Sequence, residues 1–73
     1  MAERPLERGV VAAFDDAAGL GRILGDDGAI IDFHCVSISD GSRHIAEGTP
    51  VSFARRMGPT GAVEAVRVVA RTA

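Results

Sequence analysis

Apolar and polar positions alternate over several short stretches of this chain, which is typical of strands with one buried face. The clearest example is Ile31 to His34, where apolar and polar side chains alternate at every residue. Nine glycines and three prolines are spread along the chain and leave little room for a long helix. The pattern therefore predicts a small all-β domain built from short strands and turns.

Turn residues divide the chain into five predicted strands. The segment Gly25 to Gly28 combines Asp with Gly, and both tolerate the backbone angles of tight turns. Pro50 is able to open a strand because the first residue needs no ladder hydrogen bond. The predicted strands cover residues 6–14, 20–24, 29–34, 51–56 and 63–69. A long connection covers residues 35–49, a turn covers 58–61, and residues 70–73 are expected to fray.

Period-two alternation then assigns the two faces of each predicted strand. The inward set forms a core sufficient for a small barrel: Val11, Ile23, Ile31, Phe33, Ile38, Ile45, Val51, Phe53, Val66 and Val68. The opposite face of strands two and three presents four side chains next to one another: Leu20, Arg22, Asp32 and His34. We expect any functional surface to include this second set.

Length and composition indicate one domain over residues 1–73, with its folded part at about 8–69. An apolar share of 47% is enough for a compact core in a chain of 73 residues. No apolar run approaches the ~20 residues of a membrane span, and residues 1–5 do not resemble a signal peptide. The lone Cys35 cannot form an internal disulfide. Together these features predict a cytoplasmic protein without membrane association.

The overall charge does not favour a polyanion as ligand. Eight basic and ten acidic residues give a formal net charge of −2, whereas nonspecific nucleic-acid binding depends on neutralising phosphates. A local basic groove remains an alternative, and its members would be Arg22, Arg43, His44, Arg55 and Arg56. Arginine pairs such as 55–56 are more often solvated strand ends.

Catalytic and metal-binding chemistry is not indicated. Asp32, His34, Cys35 and His44 include good zinc ligands, but neighbouring strand residues such as 34 and 35 should point to opposite sides. The pairs Asp15–Asp16 and Asp26–Asp27 act first as turn formers, and no nucleophile accompanies them. We therefore expect no enzyme activity, no metal and no cofactor, and we expect Cys35 to fill space.

Five segments in register resemble the bacterial cold-shock proteins. GVVAAFD (9–15), GLGRI (19–23) and IDFHC (31–35) resemble that family's G-x-V-K-W-F-N, K-G-F-G-F-I and V-F-V-H-F. EGTPVSF (47–53) and GPTG (58–61) resemble two further motifs downstream. The resemblance covers about residues 8–69. It implies a five-stranded antiparallel OB-type Greek-key β-barrel that binds single-stranded RNA or DNA.

The departures from that family concern its nucleic-acid-binding face. Residues without rings stand where the family has aromatic ones: Ala13, Leu20, Arg22, Asp32 and Cys35. Alanines replace two of its lysines, at positions 12 and 18. One base–aromatic stack contributes about 1–3 kcal/mol, so losing three removes roughly 3–9 kcal/mol. Binding should therefore be weaker by at least about two orders of magnitude.

The sequence thus predicts a cold-shock-like binder of single-stranded RNA or DNA with weak affinity. The resemblance places its binding residues at Phe14, Leu20, Arg22, His34 and Arg43. The alternative is a protein-interaction module in which the same barrel face contacts a protein. An exposed apolar patch would favour the protein partner, and a continuous basic stripe would favour nucleic acid. The sequence leaves the oligomeric state open.

Overall fold

Five strands close into a β-barrel in the computed structural model, which describes residues 6–59 and 61–71. The strands are β1 Glu7–Asp15, β2 Leu20–Gly25, β3 Ile30–His34, β4 Pro50–Met57 and β5 Val63–Ala70. A short 3₁₀ helix, Cys35–Ser37, follows β3, and the described residues contain no α-helix. The all-β class and the five predicted strands are confirmed. The expectations for residues 1–5, for Thr60 in the last turn and for the tail at 72–73 lie outside the described residues.

The order around the barrel is β1-β2-β3-β5-β4, and β4 pairs back to β1. Four neighbouring pairs are antiparallel, whereas β3 and β5 run parallel with Asp32 opposite Glu64. The prediction of a purely antiparallel barrel is therefore wrong at this pair. The reason is topological: a closed ring with an odd number of strands cannot alternate direction throughout, so one neighbouring pair must be parallel.

The barrel interior contains the predicted core with one exchange. Buried apolar residues come from all five strands and the long connection: Val11, Ile23, Ile31, Phe33, Ile38, Ile45, Val51, Phe53, Ala65 and Val68. Ala65 is fully buried, whereas Val66, which alternation placed inside, is only half-buried. The face assignment for the first half of β5 was therefore wrong.

A β-bulge in β5 causes this exchange. Ala54 pairs with Val66 and Ser52 pairs with Val69, so two residues of β5 lie opposite the single residue Phe53. Arg67, the first of the two, has a positive φ of 53°. An extra residue shifts the alternation by one position, which lets Ala65 and Val68 both point inward.

A second bulge lies in β1, where the pairing with β2 shifts between Val11 and Ala13. Ala12 is the extra residue, and Phe14 therefore becomes the partner of the buried Gly21. The bulge turns Phe14 away from the outer face, and its partly buried ring packs against the core. This irregularity shapes the candidate site because Phe14 no longer lies on the outer surface of the sheet.

Candidate functional site

The outer face of β2 and β3 displays the side chains that alternation predicted. Leu20 is paired with His34 across the two strands, and Arg22 is paired with Asp32 in the next row. All four residues are exposed. The prediction that they lie next to one another is confirmed, because the register of this strand pair contains no bulge.

A groove of about 400 Å³ opens beside these rows, and we call it the platform groove. Its lining includes Phe14, Leu20, Gly21, Arg22, Asp32 and Phe33. Three of the five residues predicted to bind nucleic acid, Phe14, Leu20 and Arg22, therefore meet in one concave surface. His34 and Arg43 do not line it.

The base of the platform groove is formed by two packed phenylalanine rings. Phe14 and Phe33 are stacked, with their centroids 5.9 Å apart and their planes 20° apart. A Cβ on Gly21 would come within 2.4 Å of the Phe33 ring and within 2.9 Å of the Phe14 ring. Glycine is required at position 21 because these two rings occupy the space of any side chain. A glycine at an inward strand position is a sequence signal for such close packing.

Phe14 consequently acts as a packing residue more than as an open stacking surface. The Phe14 ring stacks on the Phe33 ring. The His44 ring contacts Phe14 edge-to-face, with a centroid distance of 5.7 Å. The His44 Nδ1 atom lies 2.6 Å from Oδ1 of Asp16. This contact fixes the long connection to the β1–β2 turn, and 28 residues separate the two partners in sequence.

The positive charge at the groove is balanced within the protein. Nε of Arg22 lies 3.4 Å from Oδ1 of Asp32, and the two side chains are 67% and 74% exposed. An exposed ion pair of this kind contributes only about 0–1 kcal/mol, so a competing anion is able to displace the carboxylate. Glu47 adds a further acidic residue to the groove lining.

The two adjacent arginines of β4 are also paired with carboxylates. Arg55 contacts Glu7 at 2.9 Å and Asp27 at 2.7 Å, while Arg56 contacts Glu64 at 2.9 Å. The hydrogen bond from Arg55 to Asp27 raises the pKa of the guanidinium. The alternative of a groove of basic side chains thus gains no support, because Arg22, Arg55 and Arg56 each have an acidic neighbour.

His34 and Arg43, the remaining predicted binding residues, lie outside the platform groove. The Nδ1 atom of His34 accepts a hydrogen bond of 3.2 Å from the backbone N–H of Val36, which caps the short 3₁₀ helix. Cys35 packs against the core and its Sγ lies 3.7 Å from the same nitrogen. Arg43 is exposed in the long connection with a positive φ of 60°.

Among residues 6–59 and 61–71, no three His, Cys, Asp or Glu side chains are grouped so as to hold a metal ion. In the same part of the chain, no helix is both long and apolar enough to cross a membrane. A scan of the chain against protein-family models finds no match, and a search of curated proteins finds none either. The resemblance to the cold-shock proteins therefore depends on its five motifs and their order.

Proposed function

We propose that this chain is a cold-shock-like, OB-type barrel that binds single-stranded RNA or DNA weakly at the platform groove. One observation carries the proposal: a concave surface lies on β2 and β3 and contains Leu20 and Arg22. In OB-folds the face of the second and third strands binds oligonucleotides. The strand order β1-β2-β3-β5-β4 supports the OB-type assignment.

The groove supports contact with one or two nucleotides rather than a long stacked segment. Leu20 offers an exposed apolar surface, and Arg22 offers a guanidinium that is able to pair with phosphate or lie flat on a base. Phe14 is already packed between Phe33 and His44. The expected affinity is therefore low, because little aromatic surface is open for stacking.

Salt should weaken this binding strongly. If the affinity comes mainly from arginine–phosphate contacts, binding to oligo-dT or oligo-U is measurable at low salt and lost near physiological salt. Titration of short labelled oligonucleotides by fluorescence anisotropy at two salt concentrations measures this. Tight binding that survives physiological salt would contradict the proposed absence of a stacking platform.

The sharpest test removes the carboxylate that faces Arg22. Asp32→Asn frees the Arg22 guanidinium at the groove, whereas Asp26→Asn makes the same charge change in the exposed β2–β3 turn. We expect Asp32→Asn to raise oligonucleotide affinity several-fold more than Asp26→Asn. Equal effects would indicate bulk electrostatics alone, and no binding by the parent or either variant would overturn the proposal.

A protein-interaction module is the second candidate, and one observation favours it. Leu20 is 52% exposed and Val36 is 72% exposed near the same end of the sheet. Exposed apolar side chains beside a neutral ion pair suit a protein surface better than a polyanion. Binding of a protein at this face, with no effect of Asp32→Asn on oligonucleotide affinity, would favour this candidate.

We also propose a cytosolic location. Cys35 is the one cysteine of the sequence and is free, so this barrel is stabilised without a disulfide. Disulfides accumulate in oxidising compartments, and their absence from a small domain fits a reducing one. Fluorescence microscopy of a tagged chain tests the location.

A further inference from the structure

Three aliphatic side chains form a continuous row across the outer face of the sheet. Val10 of β1 is paired with Leu24 of β2, and Leu24 is paired with Ile30 of β3. The three side chains are 40%, 44% and 57% exposed, respectively. We call Val10, Leu24 and Ile30 the aliphatic row. Its members lie next to one another, so they form one patch rather than scattered surface residues.

The aliphatic row belongs to the same surface as the four outer side chains Leu20, Arg22, Asp32 and His34. Along β2 the outward positions run Leu24, Arg22 and Leu20, and along β3 they run Ile30, Asp32 and His34. Apolar side chains therefore flank an ion pair of one cation and one anion at 3.4 Å. The formal charge of the Arg22–Asp32 pair is zero, so the middle of this face presents one cation beside one anion and no net charge.

We propose that this face binds a second copy of the same chain through a twofold axis. A twofold interface must be complementary to itself. An axis parallel to the strands and between β2 and β3 exchanges the positions of these two strands. It places Leu24 on the partner's Ile30 and Arg22 on the partner's Asp32. The adjacent cation and anion make the surface self-complementary in charge, which a partner of uniform charge would not match.

This self-association covers the platform groove. Arg22 and Asp32 line that groove. In the proposed dimer, Arg22 of one copy also contacts Asp32 of the other copy. The dimer and the oligonucleotide complex therefore exclude each other. The self-association does not depend on the proposed nucleic-acid binding, because it is measured on the protein alone.

Sedimentation equilibrium on the full chain over a concentration series provides the test. We expect the average mass of the parent to rise above 7.6 kDa toward twice that value as concentration increases. Arg22→Asp alone and Asp32→Arg alone each present like charges to their own copies and should stay monomeric. An equal mixture of these two variants should associate again, because an acidic face then meets a basic one.

Matched controls carry the same charge changes away from β2 and β3. Arg67 of β5 and Asp40 of the long connection are both exposed, so Arg67→Asp and Asp40→Arg should associate as the parent does. Ile30→Thr removes apolar surface without changing charge, and we expect it to reduce association at each concentration. Circular dichroism melts verify that every variant remains folded.

Two outcomes overturn the proposal. A parent that stays monomeric at all concentrations, with a mixture of Arg22→Asp and Asp32→Arg that also stays monomeric, excludes the interface. Association that Arg22→Asp, Asp32→Arg and Ile30→Thr all leave unchanged places the contact on another surface. If instead an oligonucleotide binds and the protein never associates, the nucleic-acid proposal stands and the self-association fails.

Discussion

The inner and outer faces of the β2–β3 pair differ in burial and therefore in which residues they tolerate. On the inner face, Ile23, Ile31 and Phe33 are at most 2% exposed and pack into the barrel. On the outer face, Leu20 and Arg22 are largely solvent-accessible. The inner face must stay apolar because burying an unpaired polar group costs free energy. No such constraint acts on the outer face, so the fold alone does not determine its residues.

The largest expected loss of stability comes from truncating phenylalanine side chains in the barrel core. Phe33→Ala and Phe53→Ala each leave a cavity in the core and should cost about 3–5 kcal/mol. A domain of this size has a stability of about 5 kcal/mol or less, so either variant should be largely unfolded. Thermal melts followed by circular dichroism measure the loss.

Asp32→Ala is the control for the inner-face variants because it is next to Phe33 in sequence but points outward. We expect it to be nearly neutral, since an exposed ion pair contributes at most about 1 kcal/mol. If Asp32→Ala lowered the melting temperature more than Phe33→Ala, the two faces would be exchanged.

The second largest effect should come from restoring rings on the outer face. Replacing Leu20, Arg22 and Asp32 together by Phe supplies three exposed rings on neighbouring strands. The formal net charge is unchanged, because one cation and one anion are removed. We expect oligo-dT affinity to rise by about a hundredfold or more. Fluorescence anisotropy measures the affinity, and circular dichroism checks the fold.

Self-association is the complication of the triple Phe variant, because three exposed rings form an apolar patch. Its mass therefore has to be measured alongside its affinity. A folded, monomeric triple variant that binds no better than the parent would contradict the proposal that missing rings weaken nucleic-acid binding. The alanines at positions 12 and 18, where the family has lysines, would then be the next residues to change.

A third experiment compares two valines of β5, where the bulge interrupts the alternation of inward and outward side chains. Val68 is fully buried, whereas Val66 is half-buried. Val68→Ala should cost about 2 kcal/mol and Val66→Ala clearly less. Chemical denaturation gives both values. Equal losses would mean that the bulge at Arg67 does not redirect the strand.

The smallest effect concerns an ion pair at the rim of the barrel. The backbone N–H of Ala29 and the Arg55 guanidinium lower the pKa of the Asp27 carboxyl below its ordinary value of 3.8. A lowered pKa in the folded state adds stability that is present at neutral pH and lost as the pH falls through the folded-state pKa. Asp27→Asn should therefore melt slightly below the parent at pH 7 and coincide with it in strong acid. A difference that persists in acid would exclude this cause.

Pattern alone predicted the fold wherever the strands are regular. Between β2 and β3 the register has no bulge, and every face assignment there is confirmed. The same method failed for Ala65 and Val66, because the bulge at Arg67 adds a residue to one strand only. Nothing local at Val66 or Arg67 marks such an insertion, since the pairing partner belongs to a distant segment of the chain.

The membership of the candidate site was predicted only in part, because His34 and Arg43 lie outside the platform groove. Phe14, Leu20 and Arg22 were expected to lie together and do so at the platform groove. The packing of Phe14 on Phe33 depends on the bulge at Ala12, and the Arg22–Asp32 pair depends on the cross-strand register. Whether a side chain binds a ligand or another residue of the same protein is decided by such contacts.

The alternation of apolar and polar residues by itself determined that the chain forms five strands with a common apolar interior. Alternation is a local property of each strand, so each strand by itself presents one apolar face for burial. Only the tertiary structure decided that β3 and β5 are parallel, that Arg67 and Ala12 occupy bulges, and that Arg22, Arg55 and Arg56 have acidic neighbours. These features arise when segments distant in sequence come together. Closure of the barrel makes β3 and β5 parallel, strand register places the bulges, and the spacing of side chains sets the ion pairs.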